Sequence, residues 1–302
     1  MDERTEVIIE KLKKAKREQL RLTWLRFKTN KAALFSLYVL AILIIIAILA
    51  PYITPEDPYA FDLRRALEPP SLASPFGRDE MGRDILSRVI LGSRYSIGVA
   101  FLSVLIGGSV GLVFGLISGY YGEWVDHIIQ RITDALLSFP MLLLAIALVS
   151  VLGVGLANVA VSVGISTIPV YIRLTRGLVL QVKSEDYVIA ARVIGKKSGY
   201  IISRHILPNV ISPVIVQSTY YMGLTILIAS GLGFLGLGVQ PPTPEWGTMI
   251  GSGRTYLFSS PHVVVFPGLF ILITALCFNL VGDGFRDALD PRVRVLVKKV
   301  KI

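Results

Sequence analysis

The chain alternates long apolar stretches free of charge with short segments where charges crowd together. The first apolar run covers 32–50, 19 residues without an ionisable side chain. At a helical rise of about 1.5 Å per residue it reaches roughly 28 Å, close to the thickness of a bilayer's hydrocarbon core. A second run lies near 97–119. The third, 135–172, holds 38 uncharged residues. One straight helix of that length would overshoot the bilayer, so the pattern predicts two spans, reversed at Gly153, Gly155 and Asn158. A fifth span is expected near 209–236 and a sixth near 264–282, with Pro213 and Pro267 near their starts. The periodicity thus predicts an all-α, polytopic membrane protein with about six transmembrane helices. Its expected parts are a basic N-terminal segment 1–31, a first span 32–50, an external loop 51–96, a five-helix core 97–282 containing a cytoplasmic loop 183–208, and a tail 283–302.

Composition supports the lipid environment. Hydrophobic residues make up 53% of the chain and charged ones only 17%, against roughly 25% in a soluble domain. The formal charge is +10. Nucleic acid is excluded as a partner because no recognition module accompanies the basic residues. The first run is expected to be retained rather than cleaved as a leader, because it follows a long segment and exceeds the usual leader core. Of the 31 Lys and Arg residues, 24 fall on one side if the N-terminus is cytoplasmic, and 7 on the other. That bias predicts both termini inside, in a plasma (inner) membrane. The six arginines of the loop 51–96 run against the trend. Residues 16–31 read as an amphipathic helix at the inner surface, with Leu20, Trp24 and Phe27 on its apolar side.

No catalytic constellation and no metal spacing is present. His127, His205 and His262 stand far apart, and Cys277 is alone in an apolar run. Gly195, Lys196, Lys197 and Ser198 resemble the end of a phosphate loop but lack its upstream glycine. This chain is therefore expected to bind no cofactor itself, ATP and Mg included. No span carries a charge in its middle, whereas self-coupled carriers place ionisable groups there. Energy for uphill transport would have to arrive from another subunit.

Two further patterns stand out. Ser103, Gly107, Gly111, Gly115 and Gly119 recur every fourth residue and form a straight stripe on the second span. Such a stripe admits a second helix at close range, from this chain or from another subunit. The loop 183–208 reads as two short helices broken at Gly195, a compact knob with the small residues Ala190 and Ala191 on its surface.

That loop resembles the coupling motif of ABC importer permeases. Ala190, Ala191, Gly195, Leu207 and Pro208 stand at the motif's spacings. Ile189 replaces its glutamate and His205 its isoleucine, with Glu185 and Asp186 one turn upstream. Further stretches resemble the C-type subunit of the oligopeptide/dipeptide/nickel branch. They include Phe76, Gly77, Arg78, Asp79 with Gly82, Arg83, Asp84; Leu137, Ser138, Phe139, Pro140; and Pro241 through Gly247. The resemblance implies a type I ABC importer permease fold. It implies a homologous B-type permease subunit as partner, two ATPase subunits that carry ATP and Mg, and a solute-binding protein that delivers peptide from outside. Nickel, glutathione and oligosaccharides also occur as substrates in this branch.

Overall fold

The computed structural model describes residue 18 and residues 21–289. Lys16 and Leu20 of the expected surface helix, and the tail beyond residue 289, lie outside the described residues. Helix α1 is Lys31–Ile53, α2 Ile85–Tyr121, α3 Glu123–Leu137, α4 Met141–Leu152, α5 Leu156–Lys183, and α6 Asp186–Val193. Helix α7 is Ser198–Phe234, α8 Trp246–Gly253 and α9 His262–Leu289. Among the described residues there is no strand, only an isolated bridge between Arg78 and Asp84.

Five helices, α1, α2, α5, α7 and α9, are long and apolar enough to cross a membrane. The sixth passage is broken. Helix α4 has 12 residues, about 18 Å, too short for a hydrocarbon core of about 30 Å. It follows α3 at a bend of 93°. The break falls at Ser138 and Phe139 because Pro140 disfavours helical backbone in the residue before it. The third span therefore does not begin at 135 as the uncharged run suggested. Residues 135–137 close the amphipathic α3 instead. The reversal between α4 and α5 does lie at Gly153 and Gly155, both at positive φ (88° and 132°). Asn158 Nδ2 donates to the Leu152 carbonyl at 2.8 Å and caps the end of α4.

Helices also outrun their apolar windows. Asp84 caps α2, its carboxylate accepting from Ser87 N at 2.7 Å, so the helix starts at Ile85 and carries Arg88 and Arg94 before the uncharged run begins. The loop 54–84 folds over this end. Arg78 Nη2 meets Glu56 at 2.7 Å, Arg83 Nε meets Asp79 at 2.7 Å, and Arg88 Nε lies 3.3 Å from the same carboxylate. The arginines that run against the charge bias are largely neutralised by acids of their own loop.

At the opposite end of the bundle, the helical segment 21–29 does not turn Phe27 toward lipid. Phe27 is fully buried, 4.7 Å from the Phe285 ring and stacked on Trp24. Gly284 leaves room for it; a Cβ there would sit 2.9 Å from the Phe27 ring. At its C-terminal end α7 closes on Gly236 (φ +79°), with Leu237 N donating to the Leu232 carbonyl at 2.9 Å. Those glycines end a helix and let α8 approach: a Cβ on Gly233 would lie 2.6 Å from Glu245 Oε2.

Candidate functional site

The stripe on α2 faces α5. A Cβ on Gly111 would lie 2.3 Å from Tyr171 Cβ, one on Gly115 2.4 Å from Thr175 Cβ, and one on Gly119 2.7 Å from Val179 Cβ. At Gly107 it would meet Thr167 Oγ1 and, at 2.8 Å, the Gly164 carbonyl. Ser103 Oγ donates to the Ala160 carbonyl at 3.0 Å. All five residues are buried within this chain. The stripe is thereby closed to any other subunit.

The knob is built next to the α2–α5 seam. Helix α5 ends at Lys183, with Ser184 as its cap. Helix α6 follows for eight residues. Asp186 lies in its first turn, where a negative charge meets the helix dipole favourably. Its end is a Schellman turn: Lys196 N donates to the Ala191 carbonyl at 3.1 Å and Gly195 N to the Arg192 carbonyl at 3.0 Å. Gly195 sits at φ +78°, the left-handed backbone such a turn requires. A Cβ on Gly195 would touch nothing within 4 Å, so the residue is open to the exterior.

The second half of the knob is not a separate short helix. Residues 198–206 are the projecting start of α7, which runs unbroken to Phe234 through a π turn at Ile202–Ile206. Pro208 lacks the N–H that would bond one turn back, and the ladder widens just before it. Leu207 is half-buried and Pro208 exposed.

Within the knob, side chains sort by direction. Val188, Ala191, Ile201 and Ile206 are buried. Ala190 and Gly195 are exposed, as are Glu185 and Asp186, which form no ion pair among the described residues. The two alanines thus do not share a surface: Ala191 packs inward and only Ala190 faces out. His205 stands between the Tyr187 and Tyr200 rings, at 6.0 and 5.7 Å. Asn209 Nδ2 donates to the His205 carbonyl at 2.6 Å and to the Tyr187 hydroxyl at 3.2 Å. Burial, and then the Glu185 charge, push the Tyr187 hydroxyl above its usual range. Apolar side chains lie among the charges of its outer surface: Val193 is 80% and Ile194 71% exposed, with Tyr187 and Ile189 exposed nearby.

A contact invisible in the sequence ties the knob to α2. Lys183 Nζ donates to the Tyr120 carbonyl at 2.6 Å, one of the carbonyls left free at the end of α2. The Arg192 guanidinium lies over the Tyr120 ring at 5.9 Å. Only the pairing of α2 with α5 brings these groups together.

A compact, apolar-faced projection on a bundle of membrane helices, with Gly195 at its turn, is the arrangement of an importer permease. Residues 111–295 match the family described as binding-protein-dependent transport system inner membrane component. The chain belongs to that family. Residues 18–70 match the N-terminal transmembrane domain of oligopeptide transport permease C, which places the permease in the oligopeptide/dipeptide branch of ABC importers. It is 44% identical over 269 residues to a dipeptide transport system permease protein of Alkalihalophilus pseudofirmus, covering 89% of this chain and 88% of that one. It is 45% identical over 282 residues to a glutathione transport system permease protein of Pectobacterium atrosepticum, covering 93% and 94%. Among solved structures, the inward-facing MetNI methionine ABC transporter aligns with a TM-score of 0.55 at 16% identity, over 67% of this permease and 96% of that chain. That likeness is one of fold.

Proposed function

We propose that the permease forms half of a translocation pathway for small peptides, and that the knob at 185–208 receives the stroke of a separate ATPase subunit. One observation carries the reading. The knob leaves Tyr187, Ile189, Val193 and Ile194 uncovered around a Schellman turn, an apolar surface outside the membrane spans that calls for a protein partner. A homologous B-type permease completes the pathway, two ATPases dock below, and a solute-binding protein delivers the cargo. Both termini and the knob face the cytoplasm. Lys183 and Arg192 carry movement of the knob into α2, and α5 carries it along the glycine seam. Relatives named for dipeptide and for glutathione transport keep the cargo within peptide-like solutes.

The test substitutes Gly195. A β-branched residue in left-handed backbone costs about 1–2 kcal/mol, whereas asparagine tolerates that conformation. Gly195→Val should assemble with the partner permease, lose the ATPases on affinity purification, and abolish uptake of labelled dipeptide. Gly195→Asn should keep both. Normal ATPase retention and normal uptake by Gly195→Val would remove the knob from the coupling path.

A further inference from the structure

Between the expected second and third spans, the charged segment 120–134 holds α3, a helix set nearly at right angles to α4. Its two faces differ in kind. The inner face is pinned to the α2–α5 pair. Asp126 accepts from Arg176 Nε and Nη2 at 2.6 Å each, Gln130 Nε2 donates to Ser118 Oγ at 2.9 Å, and Thr133 is fully buried. Asp134 pairs with Arg173. The outer face carries Trp124, Ile128 and Ile132, exposed by 69%, 53% and 58%. At 3.6 residues per turn these lie together on one side.

The depth of α3 is fixed independently. The uncharged part of α5 runs from 156 to 172 and ends at Arg173. Its 17 residues span about 25 Å, so Arg173 and Arg176 mark the level at which α5 leaves the hydrocarbon. Both arginines hold α3. The two ion pairs hold α3 at that level, bent 93° from α4. Asp126 and Asp134 are used up on α5 and exposed Glu123 stands at the helix start, whereas Arg131 is exposed, forms no ion pair among the described residues, and flanks the apolar stripe together with exposed His127. An apolar stripe with a tryptophan and a free arginine beside it complements the boundary between acyl chains and phosphates.

We propose that the outer face of α3 is a lipid-binding surface: Trp124, Ile128 and Ile132 enter the headgroup–acyl boundary, and Arg131 contacts lipid phosphate. The ion pairs to Arg173 and Arg176 then fix the α2–α5 pair to the plane of the bilayer. The inference is independent of the knob's role.

Nitroxide labels at Ile128→Cys and, separately, Ile132→Cys test it, in Cys277→Ala permease assembled with cysteine-free partner subunits in anionic phospholipid vesicles. Collision rates with oxygen, which partitions into lipid, and with a water-soluble nickel chelate are read by power saturation. The expected result at both sites is a mobile label with an oxygen-to-nickel accessibility ratio above one. A ratio below one would place the face in water and overturn the proposal. An immobile label shielded from both reagents would mean that a protein partner covers the face, and would overturn it equally. Arg131→Gln should lower the membrane affinity of the phosphate for this site, seen as a smaller preference for anionic over zwitterionic spin-labelled lipid; an unchanged preference would remove Arg131 from the contact.

Discussion

Replacing Gly111 by alanine adds one methyl group to the seam between α2 and α5. Built on the present backbone, its Cβ would stand 2.3 Å from Tyr171 Cβ, 3.0 Å from the Ile168 carbonyl oxygen and 3.2 Å from Ile172 N. Carbon atoms settle at about 3.5–4.0 Å, so the helices must part by more than an ångström. Tyr171 cannot simply rotate away, because the obstructing atoms are its Cβ and the backbone around it. It is fully buried, lies 5.3 Å from the Tyr221 ring and donates to Ser218 Oγ at 3.1 Å. Displacing it disturbs the contact of α5 with α7 as well. Overpacking of this kind costs about 1–3 kcal/mol, while alanine regains about 0.5–1 kcal/mol of helix propensity. The net expectation for Gly111→Ala is a loss of up to about 2.5 kcal/mol. Gly177→Ala on α5 is the control, since a Cβ there meets nothing within 4 Å, and it should be neutral or mildly stabilising. The assay is thermal inactivation of the purified complex in lipid nanodiscs. If Gly111→Ala and Gly177→Ala have the same midpoint, the seam yields freely and the argument from close approach is wrong.

Three other expectations follow from the same geometry. Lys183→Ala removes a charged donor from the Tyr120 carbonyl, an interaction worth about 1.5–3 kcal/mol. It should leave the ATPases bound but lower the peptide moved per ATP hydrolysed, and an unchanged ratio would show that the tie carries no motion. Burial, then the neighbouring Asp79 charge, raise the Glu80 carboxyl above its usual range, with Arg83 only partly offsetting them. A folded-state value above the unfolded one means that Glu80 favours the fold at acid pH and loses that contribution as pH rises through the folded value. Glu80→Gln should therefore raise the thermal midpoint at neutral pH and shrink its difference from the wild type toward pH 4; a lower midpoint at neutral pH would mean that the Arg83 pair dominates. For orientation, Ser71→Cys in a Cys277→Ala background should react with an impermeant thiol reagent outside intact cells and Ser203→Cys should not, both positions being exposed; the reverse pattern would invert the topology.

Composition and periodicity alone fix the environment, the class and most of the chain's path. Uncharged runs long enough to cross lipid can be nothing else in this composition, and the reversal at Gly153 and Gly155 was legible because glycine is the residue that takes positive φ without strain. The Gly195 turn was legible for the same reason. Faces and partners were not. The regular stripe from Ser103 to Gly119 announced a close contact, but spacing within one helix cannot name the helix opposite, and only the packed bundle assigned it to α5. Ala190 and Ala191 look equivalent in sequence, yet a 100° step around α6 sends one outward and the other into the core. Phe27 read as a lipid-facing residue because amphipathicity records that a side chain is apolar, not what covers it, and the cover, Phe285 with Gly284, lies far along the chain. The break before Pro140 hid inside an uninterrupted apolar run, since hydropathy is blind to direction. Which charges neutralise one another was likewise undetermined: Lys183 meets the end of α2, and Asp126 meets Arg176, only because two helices distant in sequence lie against each other in space.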